Sequence, residues 1–158
     1  MNKYHSEVWD RRFLDVAKTV SAWSKDPSSK LGAVVVDPEG RIVGTGYNGF
    51  PRGVEDTEER LNNRELKYEF VVHAEVNAII TAGDRARGST LYVYPGWGSP
   101  CMCTNCCKTA IQSGIKRVVG LLRSIDAERL ERWKASLALS QVMCDEAGIE
   151  TVTYKELT

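Results

Sequence analysis

What this 158-residue sequence lacks narrows its reading before any motif is considered. It carries no net charge, because 21 Lys and Arg offset 21 Asp and Glu. No basic surplus therefore points to nucleic acid or to an anionic membrane as a partner. It has no basic leader followed by an apolar stretch, and no apolar run of membrane-spanning length. Secretion and membrane insertion are not expected, and a cytoplasmic location is the default. Repeats and linker-like stretches are missing too, so a single domain over 1–158 is expected, large enough for its own core. Histidine occurs only twice. Cysteine occurs five times, but Cys101, Cys103, Cys106 and Cys107 fall within seven positions and only Cys144 stands apart. That distribution does not staple a fold. In a reducing compartment it suggests metal binding or redox chemistry.

What is present reads as an α/β chain. Trp9, Phe13, Val16, Val20 and Trp23 follow helical spacing from Glu7 to Trp23, and "SKDPSSK" breaks that helix at Pro27. "LGAVVVD" (31–37) and "RIVGTGY" (41–47) are two strands joined by "PEG" as a hairpin. The stretch 48–63, dense in Gly, Pro and charge, reads as a loop, and "RELKYEF" (64–70) as a short helix. "AEVNAIITA" (74–82) predicts a helix ending near Gly83, then "STLYVYP" (89–95) a strand and "GWGSP" a loop. A helix over 103–113, a strand over 115–120, a long helix over roughly 126–147 and a strand over 150–154 complete the chain. The long helix carries Leu130, Trp133, Leu137 and Cys144 on one stripe and stops at Gly148. The order predicts one three-layer α/β domain with strands buried between helices.

Chemistry-bearing residues cluster where the chain enters two of those helices. His73 and Glu75 open one, and Cys103 and Cys106 open the next. Cysteines three apart share a helix face, and a helix N-terminus favours the thiolate form that binds metal. Positions i and i+2 of a regular helix diverge, so His73 and Glu75 can converge only if His73 lies at the cap. One imidazole and two thiolates fill three corners of a zinc tetrahedron and leave the fourth for water, the catalytic pattern. Glu75 would then shuttle protons rather than ligate. Taken alone, C-x-x-C is equally compatible with redox chemistry or structural zinc. The joint pattern, H-A-E followed by a strand and then C-x-x-C opening a helix, matches the H-x-E…P-C-x-x-C motif of zinc deaminases. Cys101 and Cys107 remain competitors for the metal. Lys25, Lys30 and Arg52, with the hydroxyls of Ser28 and Ser29, are the candidate anion donors near the expected pocket mouth. Trp97 either stacks on a base or covers the core.

In "SKDPSSKLGAVVVD", "GTGYNGFPRGVED", "VHAEVNAI", "PCMCTNCCKTAIQSGIKRVV" and "DEAGIETVTY" the chain resembles the dCMP deaminases of the cytidine deaminase superfamily over nearly its whole length. "GYNGFPRG" is the most discriminating piece, since tRNA adenosine deaminases and riboflavin-pathway deaminases share H-A-E and C-x-x-C without it. The resemblance implies a three-layer α/β/α fold with a five-stranded mixed sheet, one catalytic Zn2+ per chain, and homohexamers. It implies hydrolysis of dCMP to dUMP and ammonia in supply of thymidylate, with activation by dCTP and inhibition by dTTP. His73, Cys103 and Cys106 would hold the zinc, and Glu75 would move protons. The backbone of Ala74 would meet the base edge, Asn48 the sugar, and Ser29, Lys30 and Lys25 the phosphate. An effector site would fall around Gly46, Tyr47, Asn48 and Gly49, with Arg52. Two features depart from the family. Many members carry Arg where this chain has Trp23. The family's proline directly precedes its first cysteine ligand, whereas Pro100 here precedes Cys101, which a two-residue insertion explains. Other expectations stay open: a deaminase of another pyrimidine or of a tRNA base, the latter disfavoured by neutral charge, or a non-catalytic zinc module using Cys101 or Cys107 as a fourth ligand.

Overall fold

The computed structural model describes residues 1–157 and begins with helix α1 (Glu7–Ser21). Ser6 caps it by accepting the Trp9 N–H, one of the donors that a first helical turn cannot satisfy internally. The hairpin β1 (Gly32–Val36) and β2 (Ile42–Tyr47) follows, its turn held by Asp37, which accepts the N–H groups of Glu39 and Arg41. Next come short helices α2 (Glu58–Asn62) and α3 (Arg64–Phe70). The chain then alternates α4 (Ala74–Ala82), β3 (Thr90–Gly96), α5 (Thr104–Gln112), β4 (Arg117–Leu122), α6 (Ala127–Ala147) and β5 (Glu150–Lys155).

The strands form one five-stranded sheet in the order β2-β1-β3-β4-β5. β1 pairs antiparallel with β2 and β3, while β3, β4 and β5 run parallel, so the sheet is mixed as expected. Strand side chains alternate between two buried faces. Val34, Val36, Tyr92, Tyr94 and Val119 pack with Phe13, Leu14 and Ala17 of α1. Ala33, Val35, Leu91, Val93 and Val118 pack with Ala74, Ala78 and Ile79 of α4, Cys106 and Cys107 of α5, and Cys144 of α6. The result is a three-layer α/β/α arrangement.

Local differences from the sequence reading have physical causes. The stretch 48–63 is not all loop: Thr57 caps α2 by accepting the Arg60 N–H, and Glu58 and Glu59 sit in the first turn where the helix dipole favours them. α1 stops at Ser21, leaving Trp23 58% exposed and edge-on to Tyr47 at 6.2 Å. β4 begins at Arg117 rather than Ile115 and continues to Leu122. Of the α6 stripe only Cys144 is buried; Trp133 and Leu137 are half-buried and Leu130 is exposed, because the N-terminal part of α6 walls a cavity instead of covering the core.

One polar cluster on the α1 side had no sequence signal. Asp10 is fully buried and takes a two-pronged ion pair from Arg117, with both N···O distances 2.7 Å. Tyr92 and Tyr154 donate their hydroxyls to the same carboxylate at 2.9 and 2.8 Å. The cluster ties α1 to β3, β4 and β5. Glu150 also meets Arg117 Nε at 3.1 Å, but from the surface, so removing Asp10 leaves the buried Nη1 and Nη2 edge of the guanidinium without its carboxylate, and Asp10→Ala is expected to lose roughly 3–5 kcal/mol of stability. Asp10→Ala/Arg117→Met should recover part of that loss. Chemical denaturation of both variants measures it, and equal loss in the two would refute the unpaired-charge account.

Candidate metal centre and active site

α4 and α5 both begin at a candidate metal ligand. His73 is the N-cap of α4 (φ −69°, ψ 151°) and Cys103 the N-cap of α5 (φ −71°, ψ 168°), each with extended backbone. Neither side chain caps its helix; both turn instead towards each other. His73 Nδ1 lies 3.4 Å from Cys103 Sγ and 3.3 Å from Cys106 Sγ, and the three donor atoms all lie within 4.8 Å of one another. A tetrahedral zinc with ordinary Zn–N and Zn–S bonds separates N from S by about 3.6 Å, so the trio fits the ion closely. Glu75, in the first turn of α4, is buried beside it.

The other cysteines are committed elsewhere. Cys101, with left-handed backbone (φ 66°), seats its thiol over Gly96 of β3 and Gly120 of β4, where any Cβ would collide with it. Burial pushes that thiol up to about 12, the wrong direction for a thiolate ligand. Cys107 Sγ faces α6, 3.5 Å from the Ser140 carbonyl oxygen and 3.6 Å from Cys144 Sγ. Among the described residues the cluster contains three protein ligands and no fourth, which removes the donor that a closed structural zinc site requires.

Electrostatics of the protein groups follow from crowding. Cys103 is pulled down to about 4, first by its hydrogen bond with Cys106, and His73 is pushed up to about 9, first by its hydrogen bond with Cys103. Cys106 is pushed up, first because Cys103 holds the shared negative charge. Burial raises Glu75 above the usual carboxylate range, with the His73 charge opposing.

A cavity of about 300 Å³ opens at the cluster, with His73, Glu75 and Cys103 among its lining residues. The 24–31 loop forms one wall. Asp26 shapes it, accepting the N–H groups of Ser28 (2.8 Å) and Ser29 (3.1 Å) and pairing with buried Lys67 of α3 at 3.1 Å. Asn48 lines the same wall, but its amide is engaged with that loop: Nδ2 donates to the Ser29 carbonyl (2.8 Å) and Oδ1 accepts the Leu31 N–H (2.9 Å). Ser28 and Ser29 line the cavity; Lys25, Lys30 and Arg52 do not. Lys25 pairs with Asp56 at 3.0 Å, and Lys30 donates to the Ser24 carbonyl.

The segment 46–49 touches α4 rather than the cavity alone. Gly46 lies under Ala74 and Ala78, Tyr47 offers its carbonyl to Asn77 Nδ2 at 2.9 Å, and Gly49 bridges to Val72 through two backbone hydrogen bonds. Ala74 is fully buried at the head of the helix. Trp97 lines the cavity and packs on Trp133 of α6, with ring centres 6.1 Å apart. Asp26, Lys67, Arg64, Arg129 and Arg132 all line it without having been singled out in the sequence, and Trp133, read only as part of a helix stripe, lines it too. They come from three separate segments, and only folding brings them to one wall.

Residues 7–122 match the family described as cytidine and deoxycytidylate deaminase zinc-binding region. An uncharacterized deaminase in the luxG 3′ region of Aliivibrio fischeri is 39% identical over 94% of this chain and 95% of its own length. The human deoxycytidylate deaminase is 40% identical over 70% of this chain, which spans 63% of that relative. In fold, the chain is similar to the dCMP deaminase of cyanophage S-TIM5 in complex with dCMP and dUMP (TM-score 0.68, 24% identity, 96% of this chain and 98% of that one). The chain belongs to the cytidine and deoxycytidylate deaminase zinc-binding family and is an enzyme of the deaminase class.

Two outcomes are expected of the metal centre. Cys103→Ser should lose bound zinc whereas Cys101→Ser should keep it, as read by metal content after dialysis; the reverse pattern would overturn the ligand assignment. At pH 7 His73 is protonated, Cys103 is a thiolate and Cys106 a thiol, so zinc uptake should expel about two protons. Above pH 9 His73 gives up its proton unaided, so the share released by the three ligands should fall towards about one, with any proton lost by a zinc-bound water added to it. Titration calorimetry in buffers of different ionisation enthalpy counts them.

Proposed function

We propose that this chain hydrolyses dCMP to dUMP and ammonia with one Zn2+ held by His73, Cys103 and Cys106. The observation that carries the reading is a three-ligand cluster with a buried Glu75 outside the ligand set, all lining one cavity but for the buried Cys106. Support comes also from relatives that are named deoxycytidylate deaminases and from the bound dCMP and dUMP of the similar cyanophage structure. Zinc in this position supplies Lewis acidity, which makes a water acidic near neutrality.

The chain's own groups do the rest. The Glu75 carboxylate would take one proton from the water as its oxygen bonds to C4 of the pyrimidine, and pass that proton to N3; it would then move the proton of the new C4 hydroxyl to the amine as the C4–N bond breaks, leaving the C4 carbonyl of dUMP and ammonia. Burial raises its proton affinity, which suits a group that must both take and give. The backbone of Ala74 meets the base edge. Asn48 acts first as a brace for the 29–31 loop, and its second Nδ2–H is available to the sugar.

The finer reading extends to physiology: supply of thymidylate in the cytoplasm by a homohexamer, activated by dCTP and inhibited by dTTP. Residues 46–49 and Arg52 are the proposed effector segment. A ligand there would bear on His73 through the Gly49–Val72 bridge and the Tyr47–Asn77 bond. For opposite effects the two triphosphates must bind two conformations with unequal affinity.

Glu75→Gln should retain zinc and dCMP binding while turnover falls by several orders of magnitude, roughly two proton transfers at ~10²–10⁴ each. An ammonia-release assay that finds more than a tenth of wild-type turnover would remove Glu75 from the proton path. A dCMP saturation curve untouched by either triphosphate would dismiss the regulatory part.

A further inference from the structure

Phosphate recognition needs positive charge that no protein carboxylate already neutralises, and the cavity wall can be audited for it. Lys67 lines the wall, but its charge is met by Asp26 with both side chains about a tenth exposed. Three other cations line the same cavity: Arg64 from α3, and Arg129 and Arg132 from the first turns of α6. Arg129 has no carboxylate within ion-pair distance among the described residues, and its guanidinium lies over the Trp97 ring at 5.8 Å from the centroid. Arg132 reaches only Glu128, at 4.0 Å and largely in solvent. Arg64 rests on the Tyr68 ring at 5.3 Å and donates to its hydroxyl at 3.0 Å. The two carboxylates that line the cavity are Asp26, already paired, and Glu75 at the zinc end.

We propose that Arg129 and Arg132 of α6, faced by Arg64 of α3, form the clamp that holds the 5′-phosphate of the pyrimidine nucleotide. This rests on the deaminase reading above, which puts the base at the His73–Glu75 end. α6 meets the start of α5 where Ser136 Oγ accepts the Thr104 N–H at 3.1 Å, and Arg132 and Arg129 stand about one and two turns further along α6, so a phosphate pointing away from the base would run towards them. Guanidinium forks match phosphate oxygens in pairs, and an arginine laid on an aromatic face is pre-ordered for that contact. Trp97 is thereby a positioning residue for Arg129. A neighbouring hollow, which shares Arg129 and Ser29 with this cavity, contains Arg123 and Lys30 and offers the competing location.

The experiment compares zinc-loaded wild type, Arg129→Gln, Arg132→Gln, Arg129→Lys and Arg123→Gln on dCMP and deoxycytidine, with dUMP and deoxyuridine binding by calorimetry. Each of Arg129→Gln and Arg132→Gln should raise KM for dCMP and weaken dUMP binding roughly 10- to 100-fold, while kcat/KM for deoxycytidine changes by no more than about 2-fold. Arg129→Lys should restore only part of the loss, because the charge returns without the fork. If wild type prefers dCMP and both glutamine variants keep that preference, the clamp is wrong although the nucleotide reading stands. A selectivity loss confined to Arg123→Gln would likewise overturn the clamp and place the phosphate in the neighbouring hollow. If wild type itself treats dCMP and deoxycytidine alike, the nucleotide reading fails first, and the clamp with it.

Discussion

The approach of α4 to the sheet is the constraint on which the site depends. Gly44 and Gly46 of β2 lie directly beneath Ala74, Ala78 and Ala82, and a Cβ at either glycine would run into helix backbone. Small residues on both surfaces let the helix rest on the strand. That contact fixes the height at which His73 and Glu75 emerge, and α5, packed alongside in the same core, brings Cys103 and Cys106 to meet them. A zinc site tolerates errors of about 0.2 Å in its bonds, so two independently wandering helices could not make one. Gly44 and Gly46 of "GTGYNG" therefore help set where the His73, Cys103 and Cys106 cluster forms without touching it.

The opposite face of the sheet contributes rigidity by different means. There the Asp10–Arg117 pair, with Tyr92 and Tyr154, joins four elements through one carboxylate. Such a cluster gains little over an apolar core, but it fails badly when one member is lost. The Asp26–Lys67 pair plays the corresponding part at the cavity, binding α3 to the loop that Asn48 also braces. Ion pairs that look conspicuous are thus committed to shape. Apart from Lys67, the lysines and arginines that line the cavity stand on α6 and at the start of α3.

The five cysteines show how far local pattern reaches. C-x-x-C at the head of a predicted helix designated Cys103 and Cys106, because spacing alone puts both thiols on one face near positive helix ends. The same pattern left Cys101 and Cys107 open, since a neighbouring position in sequence says nothing about which side of a sheet a thiol will occupy. Folding decided it: Cys101 sits on two strand glycines and Cys107 against Cys144 of α6. Anion recognition depends still more on the fold. Lys25, Lys30 and Arg52 belong to loops that the sequence sets near the pocket mouth, yet none of the three lines the cavity, and Asp56 and the Ser24 carbonyl engage the first two.

By itself the sequence determined the element order, the helix starts at His73 and Cys103, and the residue types that zinc and proton transfer need. Those depend on periodicity, caps and spacing within a dozen residues, where short-range sterics and hydrogen bonding dominate. The short helix α2 was legible too, through Thr57 and the acids after it, but the density of glycine, proline and charge around it masked the cap. Only the tertiary structure decided how the strands beyond the first hairpin are ordered, that Asp10 meets Arg117, and that α3 and the first turns of α6 line one cavity with His73 and Cys103. Such contacts join residues tens of positions apart. Their pairing is chosen by which arrangement buries the most apolar surface without leaving a charge or an N–H unpaired, a property of the whole chain that no local window contains.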